Sequence, residues 1–494
     1  MQRVSKKLIL FALVGIMTHQ SAFSQLVLTM EKALEISTVS SPDLKTSLFN
    51  LQRYQQNLIA QRASLKSKFA LTLNPISYSN TRSFDNRTSE WYTNQNTSSS
   101  GTFSVTQPVI WTDATVSLNN KLGWSRNESS AGNSSTNRAY TNDLYLSIAQ
   151  PLFRYNQTKM NQRQIELDYE NAQISYALQR LNVEKSITSQ FYSVYNSQNN
   201  LEINRSELKD AEANFLIIKE KVEADMSTKD EYYQAELNLA SSRSSVQNGV
   251  VSLENAKDNF KQMLGLDLSE DISVTTQIEV DSVAVDIDMA IKNALSSRLE
   301  LRQREITHEL NENSLIQVKS SDSFNGSMSL SVGVSGDNEN FQQIYDNPTQ
   351  SPRISVSFTV PLFDWGQRKA RIKAQKIAIE SQEFQTQEEI KNIEINIRST
   401  CRSLDNLLQQ ISIAKQSVSN AQLTYDLNAE RYRNGELTGM EMNQFQNQLS
   451  SKKIAYTGSL INYKLELLNL KILTLYDFEK KEPIMPLSVV NKIK

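Results

Sequence analysis

Residues 187–222 read ITSQFYSVYNSQNNLEINRSELKDAEANFLIIKEKV. An apolar residue returns at every seventh position: Ile187, Val194, Leu201, Leu208, Phe215 and Val222. A sustained period of seven is the seam of a coiled coil, because 3.5 residues per turn keeps one stripe facing a partner helix. Beyond Val222 the period breaks, then resumes at Tyr232, Leu239, Val246, Leu253 and Phe260. The spacing predicts one long helix, a tight reversal and a returning helix.

The same pattern occurs again 210 residues later. Ile397, Leu404, Ile411, Val418, Tyr425 and Tyr432 match the first arm, and Met442, Leu449, Tyr456, Tyr463 and Leu470 match the second. Gln150-Pro151-Leu152-Phe153 likewise matches Val360-Pro361-Leu362-Phe363 at that offset. No residue is gained or lost between these blocks, so the chain reads as two copies of one unit. An ordinary amphipathic helix would give the spacing once; four arms in shared phase favour coiled-coil hairpins. The second reversal carries Gly435, suited to a positive φ; the first has Asp225 there, which tolerates it less well. From Phe153 to Asp225 an unbroken helix would reach roughly 100 Å, a length suited to bridging two compartments.

Ahead of each Pro-Leu-Phe the period falls to two. Leu144, Leu146 and Ile148 alternate with Tyr145, Ser147 and Ala149. Met328 to Ser335 and Ile354 to Val360 alternate in the same way, and Phe69, Leu71 and Leu73 begin another such run. One apolar face and one Ser/Thr/Gly face suit a strand with lipid outside and water inside. A β-sandwich with one wet face is the other reading of these segments. Pro42-Asp43-Leu44 matches Leu299-Glu300-Leu301 at an offset of 257 rather than 210, so the first copy carries 47 further residues between about 70 and 140. Alternating runs at Thr102 to Thr106 and Thr115 to Trp124 lie there. The flanking Asn94 to Ser100 and Ser129 to Asn137 read as wet loops. The insert either adds a hairpin to a barrel wall or folds over its mouth.

The 494 residues carry a net charge of −2, which disfavours general nucleic-acid binding. Only 13 glycines and 9 prolines punctuate them, as long helices require. One cysteine, Cys401, and two histidines, His19 and His308, leave no intramolecular disulfide and no histidine- or cysteine-based metal or catalytic site. No catalytic, metal or cofactor residues are expected, and the chain is read as a non-enzyme. Arg3, Lys6 and Lys7, then the apolar run Leu8 to Met17, then Ala22-Phe23-Ser24 predict a secretory signal over 1–24, with no lipid anchor because no cysteine follows. No later stretch is long and apolar enough for a membrane helix.

Gln150-Pro151-Leu152-Phe153, Val360 to Arg368 and Arg431-Tyr432-Arg433-Asn434-Gly435, duplicated at fixed spacing, resemble the TolC family of outer-membrane efflux proteins from about Leu28 to Phe478. The resemblance implies an α+β membrane protein: helical hairpins forming a periplasmic α-barrel, and short strands, four per protomer, completing a twelve-stranded barrel in a homotrimer. It implies a first repeat over 25–270, a second over 271–478 and a tail over 479–494. It implies that the chain works passively, beside outer-membrane lipid, with a periplasmic adaptor protein and an energised inner-membrane transporter. Pro151, Phe153, Pro361 and Phe363 become strand-to-helix elbows. Asp225, Glu231, Gly435, Glu441 and Gln444 map to the periplasmic tip, where Glu441 keeps one acidic ring and Gln444 replaces a second. Met226, Ser227, Thr228, Leu437 and Thr438 become candidate adaptor contacts. The bland reading of Glu231 and Glu441 is solvated helix charge. The competing function is an exported structural or adhesive coiled coil without a pore.

Overall fold

The structure is a computed structural model and describes residues 26–87, 89–130 and 135–484. The expected signal segment lies outside the described residues. The first half comprises β1 (Leu26–Leu28), α1 (Met30–Ser40), α2 (Pro42–Ser64), β2 (Lys68–Asp85), β3 (Glu90–Val109), β4 (Ala114–Ser129), β5 (Ser135–Leu152), α3 (Gln157–Glu223) and α4 (Lys229–Leu264). The second comprises β6 (Ile272–Val274), α5 (Ile287–Ser297), α6 (Leu299–Ser321), β7 (Asn325–Asn338), β8 (Thr349–Gln350), β9 (Arg353–Thr359), α7 (Gln367–Arg433) and α8 (Gly439–Thr474). α3 and α7 each run 67 residues, and α4 and α8 each run 36. Contacts divide the chain into two compact units, each drawing on both halves of the sequence.

One unit takes residues 49–175 and 299–391 and holds the large sheet. Its strands follow the order β2-β3-β4-β5-β7-β9, every neighbour antiparallel. Directly paired residues share a face. Phe69, Val105, Leu118, Leu146 and Val332 therefore form one apolar row across five strands. Val116, Ile148, Leu330 and Ile354 form the next. On the opposite face Ser117, Ser147 and Ser331 stand in register. The apolar rows are uncovered: Phe69 is 70% exposed and Ile354 71%. A contiguous apolar surface on one side and a serine-rich surface on the other suit a wall between hydrocarbon and water.

Two expectations are corrected here. Asn94 to Ser100 is not a loop: β3 passes straight through it, paired with β2 on one side and β4 on the other. Ser129 likewise closes β4, and 135–137 open β5. Polar side chains hide a strand when both faces are wet, while the backbone ladder is fully satisfied whatever the side chains are. The strands are also neither short nor four. Seven make up the sheet among the described residues, β9 and the two-residue β8 sharing one edge of β7, and those of the first half run 16–20 residues.

In the same unit α6 lies against the start of α3 and of α7. Arg163 Nε donates to Glu309 at 2.6 Å, Arg302 Nε to Glu170 at 2.8 Å, and Arg371 to Asp322 at 2.9 Å. The Glu170 and Glu305 carboxylates beside Arg302 hold its guanidinium further toward the charged form. These pairs are part-exposed, so each contributes only about 0–1 kcal/mol.

The other unit takes 26–48, 176–298 and 392–484 of the described residues. Its core is the seven-residue seam: Ile187, Val194, Leu201, Ile397, Leu404, Leu449, Tyr463 and Leu470 are all buried. Cys401 is buried in the same packing. β1 pairs in parallel with β6. α4 ends at Gly265, whose φ of 72° provides the left-handed cap.

Candidate channel tip and wall elbows

Each helical hairpin turns by the same local chemistry. α3 stops when Asp225 enters the left-handed region at φ 55°. Its N–H then donates to the Val222 carbonyl at 3.1 Å, and that of Met226 to Lys221 at 2.7 Å. α7 stops at Gly435, φ 80°, with its N–H on Tyr432 at 3.0 Å and that of Glu436 on Arg431 at 2.9 Å. Both are Schellman closures, which satisfy the last carbonyls of a helix.

The returning helices start on threonine caps. Thr228 Oγ1 accepts from the Glu231 N–H, and Thr438 Oγ1 from the Glu441 N–H, each at 3.3 Å. The Glu441 carboxylate reaches back to accept from the Thr438 N–H at 2.9 Å, completing a capping box. The Thr438 backbone donor, then its hydroxyl, hold the Glu441 carboxyl below the usual carboxylate range. In the first copy the Ser227 hydroxyl donates to the Glu231 carboxylate instead. Both acidic residues singled out from the sequence are thus N3 residues of a helix. The signal for this was legible as Thr-x-x-Glu at 228–231 and 438–441 but was not part of the sequence reading.

Between these turns lies a cleft of about 710 Å³, lined from α3 by Asn214 and Ile218, from α4 by Gln234 and Asn238, and from α8 by Asn443 and Gln444. Its lining is rich in side-chain amides. Gly439 lets α8 approach α3: a Cβ there would meet Ile218 Cδ1 at 3.2 Å. Near it the half-buried Tyr432 hydroxyl donates to Asn214, and Gln446 donates to Asp210 at 2.9 Å. Burial pushes the Asp210 carboxyl up. Burial, and then Glu231, push the Tyr432 hydroxyl up, so it stays a proton donor. Met226 is exposed, Leu437 half-buried, and the Thr228 and Thr438 hydroxyls are engaged as caps.

The elbows sit in the sheet-bearing unit. Pro151 still pairs in β5, opposite Ser327, and the chain turns two residues later, at Phe153 with φ 58°. The Phe153 ring lies 5.1 Å from Phe324 and 6.2 Å from Phe358. In the second half Pro361 follows the end of β9, and Phe363 meets Trp365 edge-on at 4.7 Å. Asp364 then caps α7, accepting from the Gly366 and Arg368 N–H groups at 2.9 Å each. α3 is started differently. Asp113, from the turn between β3 and β4, accepts from the Gln157 and Thr158 N–H groups at 3.2 and 2.9 Å. No sequence signal ties Asp113 to a helix 44 residues away.

Residues 290–473 match the family model described as outer membrane efflux protein. Outer membrane protein TolC of Salmonella enteritidis is 20% identical over 225 residues, 44% of this chain; the match spans 46% of that relative's length. The fold is similar to the outer membrane channel CmeC of Campylobacter jejuni, with TM-score 0.71 and 14% identity over 94% of this chain and 88% of that one. It is also similar to the outer membrane protein VceC of Vibrio cholerae, at 0.63 and 13% over 90% and 94%.

Proposed function

We infer that this chain is an outer-membrane efflux protein of the TolC family, a channel component rather than an enzyme, and that it is the passive duct of an export assembly; the family-model match over 290–473 and the fold shared with outer membrane channels support this. Three copies close the wall in the outer membrane, and their helical hairpins enclose a tunnel below it. The two halves are repeats of one unit, supported by helices of equal length at a constant offset of 210. The repeats run over 25–270 and 271–478 with a tail beyond, and residues 1–24 are a secretory signal removed without lipidation. The observation that carries the reading is the sheet, whose uncovered apolar rows back onto a serine-lined face.

The tip is the gate. Glu441 is anionic at neutral pH because its capping partners favour the carboxylate. A ring of three would favour cations and resist anions, with Gln444 adding a neutral amide. Opening slides the returning helices, a shear motion, and breaks the contacts of Asn214 with Tyr432 and Asp210 with Gln446. Met226, Ser227, Leu437 and the amide-lined cleft are where a periplasmic adaptor seats, and the adaptor links the duct to an energised inner-membrane transporter. The alternative of a poreless exported coiled coil leaves the apolar rows without a solvent.

The test is covalent closure. Cysteines placed at the tip beside Glu441, oxidised between neighbouring copies, should stop export, and reductant should restore it. Undiminished export by fully cross-linked trimers would exclude the gate. Absence of any conductance from the purified protein in planar bilayers would exclude the duct itself.

A further inference from the structure

We propose that the wall in the outer membrane is an eighteen-stranded β-barrel, six strands from each of three copies, with the 47-residue insertion built into it as β3 and β4. The proposal rests on the trimeric channel reading above and extends it to the width of the pore.

Four observations carry it. β3 and β4 are flanked on both sides by wall strands: β3 pairs with β2 from Lys68 to Asp85, and β4 pairs with β5 from Thr115 to Ser129. A hairpin folded over a mouth would leave β2 and β5 paired to each other. One apolar row also crosses the insertion unbroken, from Phe69 through Val105 and Leu118 to Leu146, and Phe103, Val116 and Leu122 add apolar positions on the same face. The far turn of the inserted hairpin is anchored in the elbow as well. Asp113 caps α3, and Asn156 Nδ2 donates to the Ile110 carbonyl at 2.5 Å. Finally, the two sheet edges fit each other. Among the described residues β2 is paired only to β3, and β9 only to β7. β8, the Ser351 N–H donating to the Gly333 carbonyl at 2.9 Å, and β9 together line β7 from Asn325 to Ser335. Six alternating strands leave these edges running in opposite directions, so head-to-tail copies join antiparallel.

An open edge in hydrocarbon strands its backbone donors and acceptors, so closure is obligatory. Six strands are too few to close alone, since spanning barrels start at eight. Strands about 4.8 Å apart, tilted about 40°, place opposite backbones of an eighteen-stranded wall about 36 Å apart, against about 24 Å for twelve strands. Barrels of that size leave an open aqueous channel.

The experiment uses the full chain in outer-membrane vesicles, with single cysteines at Leu118, on the apolar face of β4, and at Ser117, on the other. The expected result is that Ser117→Cys reacts with a water-soluble maleimide and Leu118→Cys only with a membrane-soluble one. Reaction of both with the water-soluble reagent would remove β4 from the wall. In parallel, Thr72→Cys on β2 combined with Ser355→Cys on β9 should oxidise to covalent trimers, and a reconstruction of the purified assembly should count eighteen strands. Trimers with twelve strands would overturn the width alone and leave the channel standing. Dimers with twelve strands would overturn both the width and the trimer. A protein that stays monomeric and forms no pore would overturn the channel reading itself.

Discussion

Glu441 does a local job before any long-range one. Its carboxylate accepts the Thr438 N–H and hydroxyl, each at 2.9 Å, and so fixes the first turn of α8. The same bonds hold its carboxyl below the ordinary range. A carboxyl depressed on folding contributes stability that is complete above its unfolded pKa and is lost as pH falls through the folded value. Measured against the intrinsic rate at each pH, amide exchange over 438–442 should therefore be slow at neutral pH and accelerate once pH drops below the usual carboxylate range. Glu441→Gln, which retains a capping oxygen but not the titration, should show a flat profile across that window. A variant that accelerates like the parent would show that the box is not what holds the turn.

At the scale of the element, the wall strands are defined by which face meets lipid. Leu146 and Ser147 are neighbours on β5 facing opposite ways: Leu146 stands in the row with Leu118 and Val332, Ser147 in register with Ser117 and Ser331. Leu146→Arg should cost about 2–4 kcal/mol near the middle of the bilayer, and Ser147→Arg close to nothing. Denaturant midpoints after refolding into vesicles measure both, and equal losses would contradict the assigned faces. This alternation was legible wherever lipid imposes it, as at Leu144 to Ile148 and Met328 to Ser335. It was not legible at Asn94 to Ser100, where both faces take polar side chains and only the pairing to β2 and β4 marks a strand. Nor could spacing say that the insertion joins the wall, since strand neighbours are chosen by pairing, not by periodicity. At the tip the reversals are legible from Gly435 and the broken seam, and the caps from Thr-x-x-Glu at 228–231 and 438–441. Asp113 could not have been found: its role exists only once β3 and β4 turn beside α3.

For the molecule as a whole, the constant offset of 210 is a constraint on register. The arms of one hairpin touch those of the other at particular heights: Asn199 meets Thr457, Asp210 meets Gln446, and Asn214 meets Tyr432. Removing one heptad, 201–207, from α3 alone preserves the apolar phase, because the stripe repeats every seven. It nevertheless shifts everything beyond by about 10 Å, so Asp210 and Asn214 lose their partners while the seam still finds apolar neighbours. Removing matched heptads from all four arms, 201–207, 242–248, 411–417 and 452–458, shortens the hairpins together and keeps the Asp210–Gln446 and Asn214–Tyr432 pairs near the turns at one height. The single deletion should open the tip to trypsin at Lys219, Lys221 and Lys229, while the matched deletion should stay as resistant as the parent. If the two variants are cut at the same rate, packing along the seam alone orders the tip and the equal lengths of the halves have some other cause. If only the matched variant resists, the lengths are held by polar contacts near the turns, which is the condition for a tip that opens by sliding rather than by unfolding.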